Sequence, residues 1–296
     1  MDVRAAPHGW RLWLAGARPR TLGVAVAPVL VGTAAAHGDG TDISWMRALL
    51  ALVVALALQV GVNYANDYSD GVRGTDAERK GPVRLTASGL ASPSAVRTAA
   101  LLALVVAALA GFVLAAVTTW WLLLLGAAAI AAAVLYTGGP RPYGYSGLGE
   151  VAVLVFFGFV ATAGSAYVQL DRVPTAAWWG AVAVGLLACA ILLANNIRDI
   201  DTDRVSGKRT LPVLIGAPAA RGLFVGCVAG AFVAVAAVGV LYPTALIALA
   251  ALPLAVQPVR LVMTRRDPPS LVAALVGTAR LEVVVAVLVA LGLVTA

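Results

Sequence analysis

Apolar positions in this chain come in long runs, and polar positions gather in the short segments between them. A helix that crosses a bilayer needs about 20 mostly apolar residues. On that measure the sequence predicts nine spans, near 19–37, 45–66, 95–117, 119–137, 148–168, 175–197, 219–240, 242–262 and 278–295. The runs are rich in Ala, Val, Leu and Gly. Small residues let helices approach closely in lipid, where no hydrophobic force drives them together.

Composition narrows the class. Hydrophobic residues make up 61% of the chain and charged residues 12%, against about 25% charged in a soluble domain. That excludes a soluble enzyme, a disordered chain and a secreted disulfide scaffold. The formal charge of +7 suits loops beside anionic lipid better than nucleic acid. With the N-terminus cytoplasmic, 19 of the 21 basic residues fall inside, and only Arg47 and Arg172 fall outside. The positive-inside bias therefore predicts a multi-pass cell-membrane protein with its C-terminus outside. Trp10, Trp13 and Leu14 predict an interfacial helix, so residues 1–18 form a cytoplasmic interfacial segment and 19–296 a single transmembrane domain. Cys189 and Cys227 lie in apolar runs without a metal-ligand spacing.

Two acidic clusters stand at predicted helix ends on the cytoplasmic side, where ionisable residues point to function. The first is Asn63-Tyr64-Ala65-Asn66-Asp67-Tyr68-Ser69-Asp70-Gly71, continuing to Asp76. Asn63, Asp67 and Asp70 share a helical face. Gly71 and Gly74 are expected to break the helix and return Asp76 to the same mouth. The second runs Asn195-Asn196-Ile197-Arg198-Asp199-Ile200-Asp201-Thr202-Asp203. Here Asn196, Asp199 and Asp203 share a face and Asp201 points away. Lys80 and Arg84 follow the first cluster, and Lys208 and Arg209 the second. Carboxylates alone would repel a phosphate; carboxylates with cations suit Mg²⁺ bridged to a diphosphate. Four predicted helices separate the clusters, which suggests two four-helix pseudo-repeats plus one helix, sharing one pocket.

A third cytoplasmic loop, Tyr136 to Glu150, is rich in Gly and Pro and carries Tyr143, Tyr145 and Arg141. Tyr rings can flank a developing cation, and Arg141 can hold a carboxylate or phosphate. Glu150 stands at a helix start, where the dipole favours it.

These strings resemble a known family. Asn66-Asp67-x-x-Asp70 with Asp76, and Asn196-x-x-Asp199-x-x-x-Asp203, resemble the paired motifs of the UbiA superfamily of intramembrane aromatic prenyltransferases. NYANDYSDGVRGTD, YTGGPRPYGYSGLGE, NNIRDIDTDRVSGKRTL and the opening WLAGARPRTLGVAVAPVLVGTA are similar to its 1,4-dihydroxy-2-naphthoate polyprenyltransferase branch. The resemblance implies an all-α fold of nine transmembrane helices around a central cavity. It implies Mg²⁺-dependent transfer of a polyprenyl chain from its diphosphate to 1,4-dihydroxy-2-naphthoate, with loss of CO₂, to give demethylmenaquinone. On that reading Asp67, Asp70, Asp76, Asp199 and Asp203 bind metal, with Asn66 and Asn196 as neutral oxygen donors. Asn63 and Asn195 join the substrate site. Lys80, Arg84, Arg198, Lys208 and Arg209 hold phosphate oxygens. Tyr136 and Tyr143 shield the allylic cation, and Arg141 holds the acceptor carboxylate. The partners are the two substrates and the bilayer, with no nucleic acid and no obligatory protein. Three other readings carry less. A CDP-alcohol phosphotransferase would continue differently after Asp70-Gly71-Val72-Arg73. A transporter would place acids at mid-membrane, where only Glu282 lies. A sister enzyme would use another acceptor, such as 4-hydroxybenzoate or homogentisate.

Overall fold

The computed structural model describes residues 9–74 and 84–296. Asp76 and Lys80, expected in the site, lie outside the described residues. Among those described the fold is all-helical. In chain order the helices are α1 (Trp10–Ala17), α2 (Gly23–Gly38), α3 (Trp45–Arg73), α4 (Pro93–Ala116), α5 (Leu122–Thr137), α6 (Gly149–Leu170), α7 (Thr175–Arg198), α8 (Ile200–Val205), α9 (Leu211–Ile215), α10 (Ala217–Leu241), α11 (Pro243–Thr264) and α12 (Pro268–Val294). Seven of these are long and apolar enough to cross a bilayer; α5 is apolar but shorter. The stretch from α1 through α2 qualifies as an eighth span, bent by 53°.

The bend lies between Thr21 and Gly23, and just before it α1 ends at Arg18, a non-glycine C-cap in the left-handed region at φ 56° followed by Pro19. Two residues of α3 brace α1. Asn63 Nδ2 donates to the Ala17 carbonyl at 2.9 Å, and the Tyr64 hydroxyl donates to the Trp13 carbonyl at 2.6 Å. Trp13 and Tyr64 meet edge to face, while Trp10 and Leu14 face outward.

Helix α7 runs through the centre of the bundle. Its Ala176, Ala177, Ala181, Ala190 and Ala194 are buried, and a stripe of small side chains lets neighbouring backbones close in. A Cβ on Gly185 would stand 2.8 Å from the Gly158 Cα of α6, so neither glycine tolerates a side chain. By contrast α4 turns Leu101, Leu102 and Leu109 outward, the lipid-facing pattern.

Two boundaries depart from the sequence expectation. Helix α3 runs on through Asn63, Asn66, Asp67 and Asp70 and ends only at Arg73, with Gly74 a left-handed C-cap at φ 74°. Gly71 does not break it. Gly71 is small for another reason: a Cβ there would lie 2.5 Å from Thr86 Cγ2, so the helix packs directly on the following loop. Helix α12 begins about ten residues before the predicted span, because Asp267 caps it by accepting from Ser270 N at 2.9 Å and Pro268 opens the first turn.

The two ends of the bundle are built differently. At one end Arg47 donates to Val168 O and Val117 O, Ser44 and Gln169 exchange backbone–side-chain hydrogen bonds, and Arg172 pairs with Asp39. At the other end α3, α5 and α7 terminate and α6 begins, and both acidic clusters are found there.

Candidate active site

A cavity of about 330 Å³ opens among α2, α3, α5, α6 and α7. Its wall is mostly apolar, with Val54, Leu58, Leu122, Leu125, Phe156 and Phe157. Its polar end is lined by Asn63, Asn66, Asp70, Asn195, Asn196 and Thr210, with Arg18, Arg84 and Lys208 as the cations among the described residues. Tyr136 and Tyr143 line it as well, their rings edge to face at 5.5 Å. The arrangement suits an amphiphile with an anionic head and an apolar tail.

The first cluster divides its labour. Asp67 is buried and does not line the cavity; its two carboxylate oxygens accept from Leu85 N at 2.8 Å and Thr86 N at 2.9 Å. Where a metal-facing Asp67 was expected, the carboxylate lies on the backbone of the returning loop. That loop carries Arg84 onto Asp70, with Arg84 Nη2 3.6 Å from Asp70 Oδ2. Lys208 Nζ stands 3.6 Å from the same oxygen, and the Tyr145 hydroxyl donates to Oδ1. Asp70 thus gathers a cation from each half of the chain. Asn66 accepts from the Thr137 hydroxyl at 2.8 Å. Arg73 donates to the carbonyls of Thr137 and Gly139, fixing the start of the loop after α5.

In the second cluster, neighbours in sequence pair with one another. Helix α7 stops at Arg198, and α8 starts after Asp199. Arg198 clasps Asp199 with two charged hydrogen bonds, at 2.7 and 2.6 Å, and donates to Asn195 Oδ1 at 2.9 Å. Neither Arg198, expected to hold phosphate, nor Asp199, expected to hold metal, lines the cavity; their charges are matched to each other. Asp203 is buried, accepts from Thr210 and holds Lys208 N through its own carbonyl at 2.8 Å. Asp201 is exposed, as its helical angle predicts. Asn196 donates to Glu150 Oε1 at 3.0 Å, which makes Glu150 a support of the site.

Arg141 and Arg209 are exposed and do not line the cavity. Arg141, expected to hold the acceptor carboxylate, stands between Pro140 and Pro142 outside the cavity lining. Arg209 contributes its backbone instead, donating to Tyr145 O at 3.0 Å. Tyr143 donates to Ala132 O at 2.8 Å, and burial pushes its phenol up to about 12, so it stays a neutral donor at physiological pH. The sequence reading missed Arg18 and gave Tyr145 no part in the site. Arg18-Pro19 carried a signal only in retrospect, as a cation at a helix end.

Among the described residues no group of three or more His, Cys, Asp or Glu converges as a closed metal cage. Mg²⁺ does not need one; it binds through one or two carboxylates, water and substrate phosphates. Asp70, Asn66, Asn195 and Asn196 supply hard oxygen donors from both halves of the chain to one cavity end, a donor set that fits that ion.

Residues 25–277 match the UbiA prenyltransferase family. The 1,4-dihydroxy-2-naphthoate octaprenyltransferase of Mycobacterium tuberculosis is 49% identical over 245 residues, 83% of this chain and 84% of that one. The Mycobacterium leprae enzyme of the same name is 48% identical, covering 94% of each chain, and the Escherichia coli one 39%, covering 86% of each. Among solved structures, a UbiA homolog from Archaeoglobus fulgidus bound to GPP and Mg²⁺ superposes with a TM-score of 0.63 at 17% identity, covering 94% of this chain and 99% of that one.

Proposed function

The chain belongs to the UbiA prenyltransferase family, and we propose on that premise that it is a 1,4-dihydroxy-2-naphthoate polyprenyltransferase. It transfers a polyprenyl chain from its diphosphate to the naphthoate ring in menaquinone biosynthesis. The observation that carries this reading is the match to naphthoate octaprenyltransferases at 48–49% identity over most of the chain, joined to a cavity with one cationic end and one long apolar wall.

The chemistry follows from the wall. The apolar tail lies along α3, α5 and α6, where burial against Leu58, Leu125 and Phe157 returns about 25 cal/mol per Å² of apolar surface. The diphosphate meets Lys208 and Arg84. As the allylic C–O bond lengthens, negative charge grows on the leaving diphosphate, and these two cations stabilise it within a site of low dielectric. Bound Mg²⁺, held by Asp70 with the amide oxygens of Asn66 and Asn196, would neutralise part of the same charge. Asp203 and Asp199 support that end through Thr210, Lys208 and Arg198. The rings of Tyr136 and Tyr143 face the cavity, where an electron-rich face stabilises an allylic cation. Apolar residues around them keep water from capturing that cation. Attack by the ring carbon that bears the carboxylate, followed by loss of CO₂, restores aromaticity.

In the membrane, α1–α2, α3, α4, α5, α6, α7, α10, α11 and α12 make nine crossings, with α5 as a short one, arranged as two four-helix repeats and a closing helix. The cavity's polar end faces the cytoplasm, because the basic loops lie at that end.

The experiment is direct. Purified enzyme receives one polyprenyl diphosphate and a panel of aromatic acids, and products are identified by mass. Prenylated naphthoquinol with loss of 44 Da, as expected for CO₂ on stoichiometric grounds, supports the reading; transfer only to 4-hydroxybenzoate or homogentisate overturns it.

A further inference from the structure

Tyr145 belongs to the loop between α5 and α6, yet it touches groups from two other parts of the chain. Its hydroxyl donates to Asp70 Oδ1 at the end of α3. Lys208 Nζ, from the segment after α8, lies 4.8 Å from its ring centroid, and the Arg73 guanidinium lies 5.4 Å from it. Its carbonyl accepts from Arg209 N at 3.0 Å. The two acidic clusters therefore meet across one phenol ring.

The position of Lys208 gives this meeting a consequence. A lysine carries its ammonium on four rotatable bonds, and left alone beside a carboxylate it would close to direct hydrogen-bond distance. Here Nζ stops 3.6 Å from Asp70 Oδ2, longer than a charged hydrogen bond. The ring face adds a second attraction, so the ammonium lies between carboxylate and ring. Lys208 has three N–H donors, and those not aimed at Asp70 stay available to the cavity that Lys208 lines. The Tyr145 hydroxyl keeps the ring in place by anchoring it to the same carboxylate.

We propose that Tyr145 is a positioning residue that holds the Lys208 ammonium at the cavity wall, poised for the diphosphate of the prenyl donor. The proposal rests on the reading of the cavity's cationic end as the diphosphate site. It differs from that reading in naming a residue that acts by placing Lys208, its own hydroxyl being held on Asp70.

The test uses the purified full-length enzyme, with the KM for each substrate measured separately. Tyr145→Leu removes ring and hydroxyl. It should raise the KM for the prenyl diphosphate about five- to tenfold, the size of a partly desolvated cation–π contact, and leave the KM for the naphthoate unmoved. Tyr145→Phe keeps the ring and should raise the same KM by about two- to threefold. The deciding measurement repeats both substitutions in a Lys208→Met background, where each should add less than about twofold because its target is gone. An equal rise in both backgrounds, or a matching rise for the naphthoate, overturns the proposal and leaves Tyr145 a structural residue. Should Tyr145→Leu fail to fold, the Tyr145→Phe pair of measurements decides alone by the same criterion. Lys208→Met without any change in the diphosphate KM would instead overturn the premise that Lys208 serves the diphosphate.

Discussion

The two acidic clusters look alike in sequence and work differently in the fold. Each has an asparagine, spaced aspartates and trailing cations at a helix end, both on the same end of the bundle. In the first, Asp70 lines the cavity and draws in Arg84 and Lys208, while Asp67 holds the loop that brings Arg84 there. In the second, Asp199 is clasped by its neighbour Arg198, and Asp203 holds the turn that presents Lys208. The first cluster thus offers a carboxylate to the cavity, and the second offers an ammonium and two amides. A repeated motif need not give a repeated site: charge is supplied from one side and countered from the other.

This asymmetry sets the order of the mutational effects. Asp70→Asn should be the most damaging to turnover, by about a hundredfold or more, since it removes the one acid among the four described motif aspartates that lines the cavity. It should also raise the Mg²⁺ concentration needed for half-maximal activity. A rate unchanged in Asp70→Asn would move the centre of the site to the second cluster. Next comes Arg198→Met, which leaves Asp199 buried without its counter-charge. About 3–5 kcal/mol of stability should be lost, seen as a lower thermal midpoint, and Arg198→Met with Asp199→Asn should recover most of it. Failure of the double variant to recover would show that Asp199 needs its charge for the site itself. Asp67→Ala removes two charged hydrogen bonds to backbone, each worth about 1.5–3 kcal/mol. It should lower the thermal midpoint and raise the KM for the diphosphate through Arg84, without changing the Mg²⁺ dependence. A changed Mg²⁺ requirement would return Asp67 to the metal. The smallest effects belong to Arg141→Lys and Asp201→Asn. Both residues are exposed, so activity and both KM values should stay within about twofold of the wild type. A selective rise in naphthoate KM for Arg141→Lys would restore the acceptor role the sequence suggested.

The membrane class, the places of the helices and the grouping of function at one end were legible because they depend on properties local to the chain. About 20 apolar residues make a span wherever they occur, and helical spacing alone turns Asp201 away from Asn196 and Asp203. Asp67 and Asp70 lie three residues apart and have equal claims by pattern. What separates them is the loop after residue 83, which reaches Asp67 with its amides and Asp70 with Arg84. Nothing within either stretch encodes that meeting. Arg198 and Asp199 are adjacent in sequence, yet only their shared burial makes them a pair rather than two ligands: a charge removed from water takes the nearest partner that satisfies it. Arg141 and Tyr145 sit in one short loop with similar promise, and the backbone path turns the first to solvent and the second onto Asp70 and Lys208. The sequence by itself determined the membrane fold, the family and the kinds of residue gathered at the polar end of the bundle, because hydropathy, spacing and motif are properties of neighbours along the chain. Only the tertiary structure decided which acid faces the cavity, which cations line it and which ring joins the halves, because electrostatic partners are chosen by distance and burial across segments far apart in sequence.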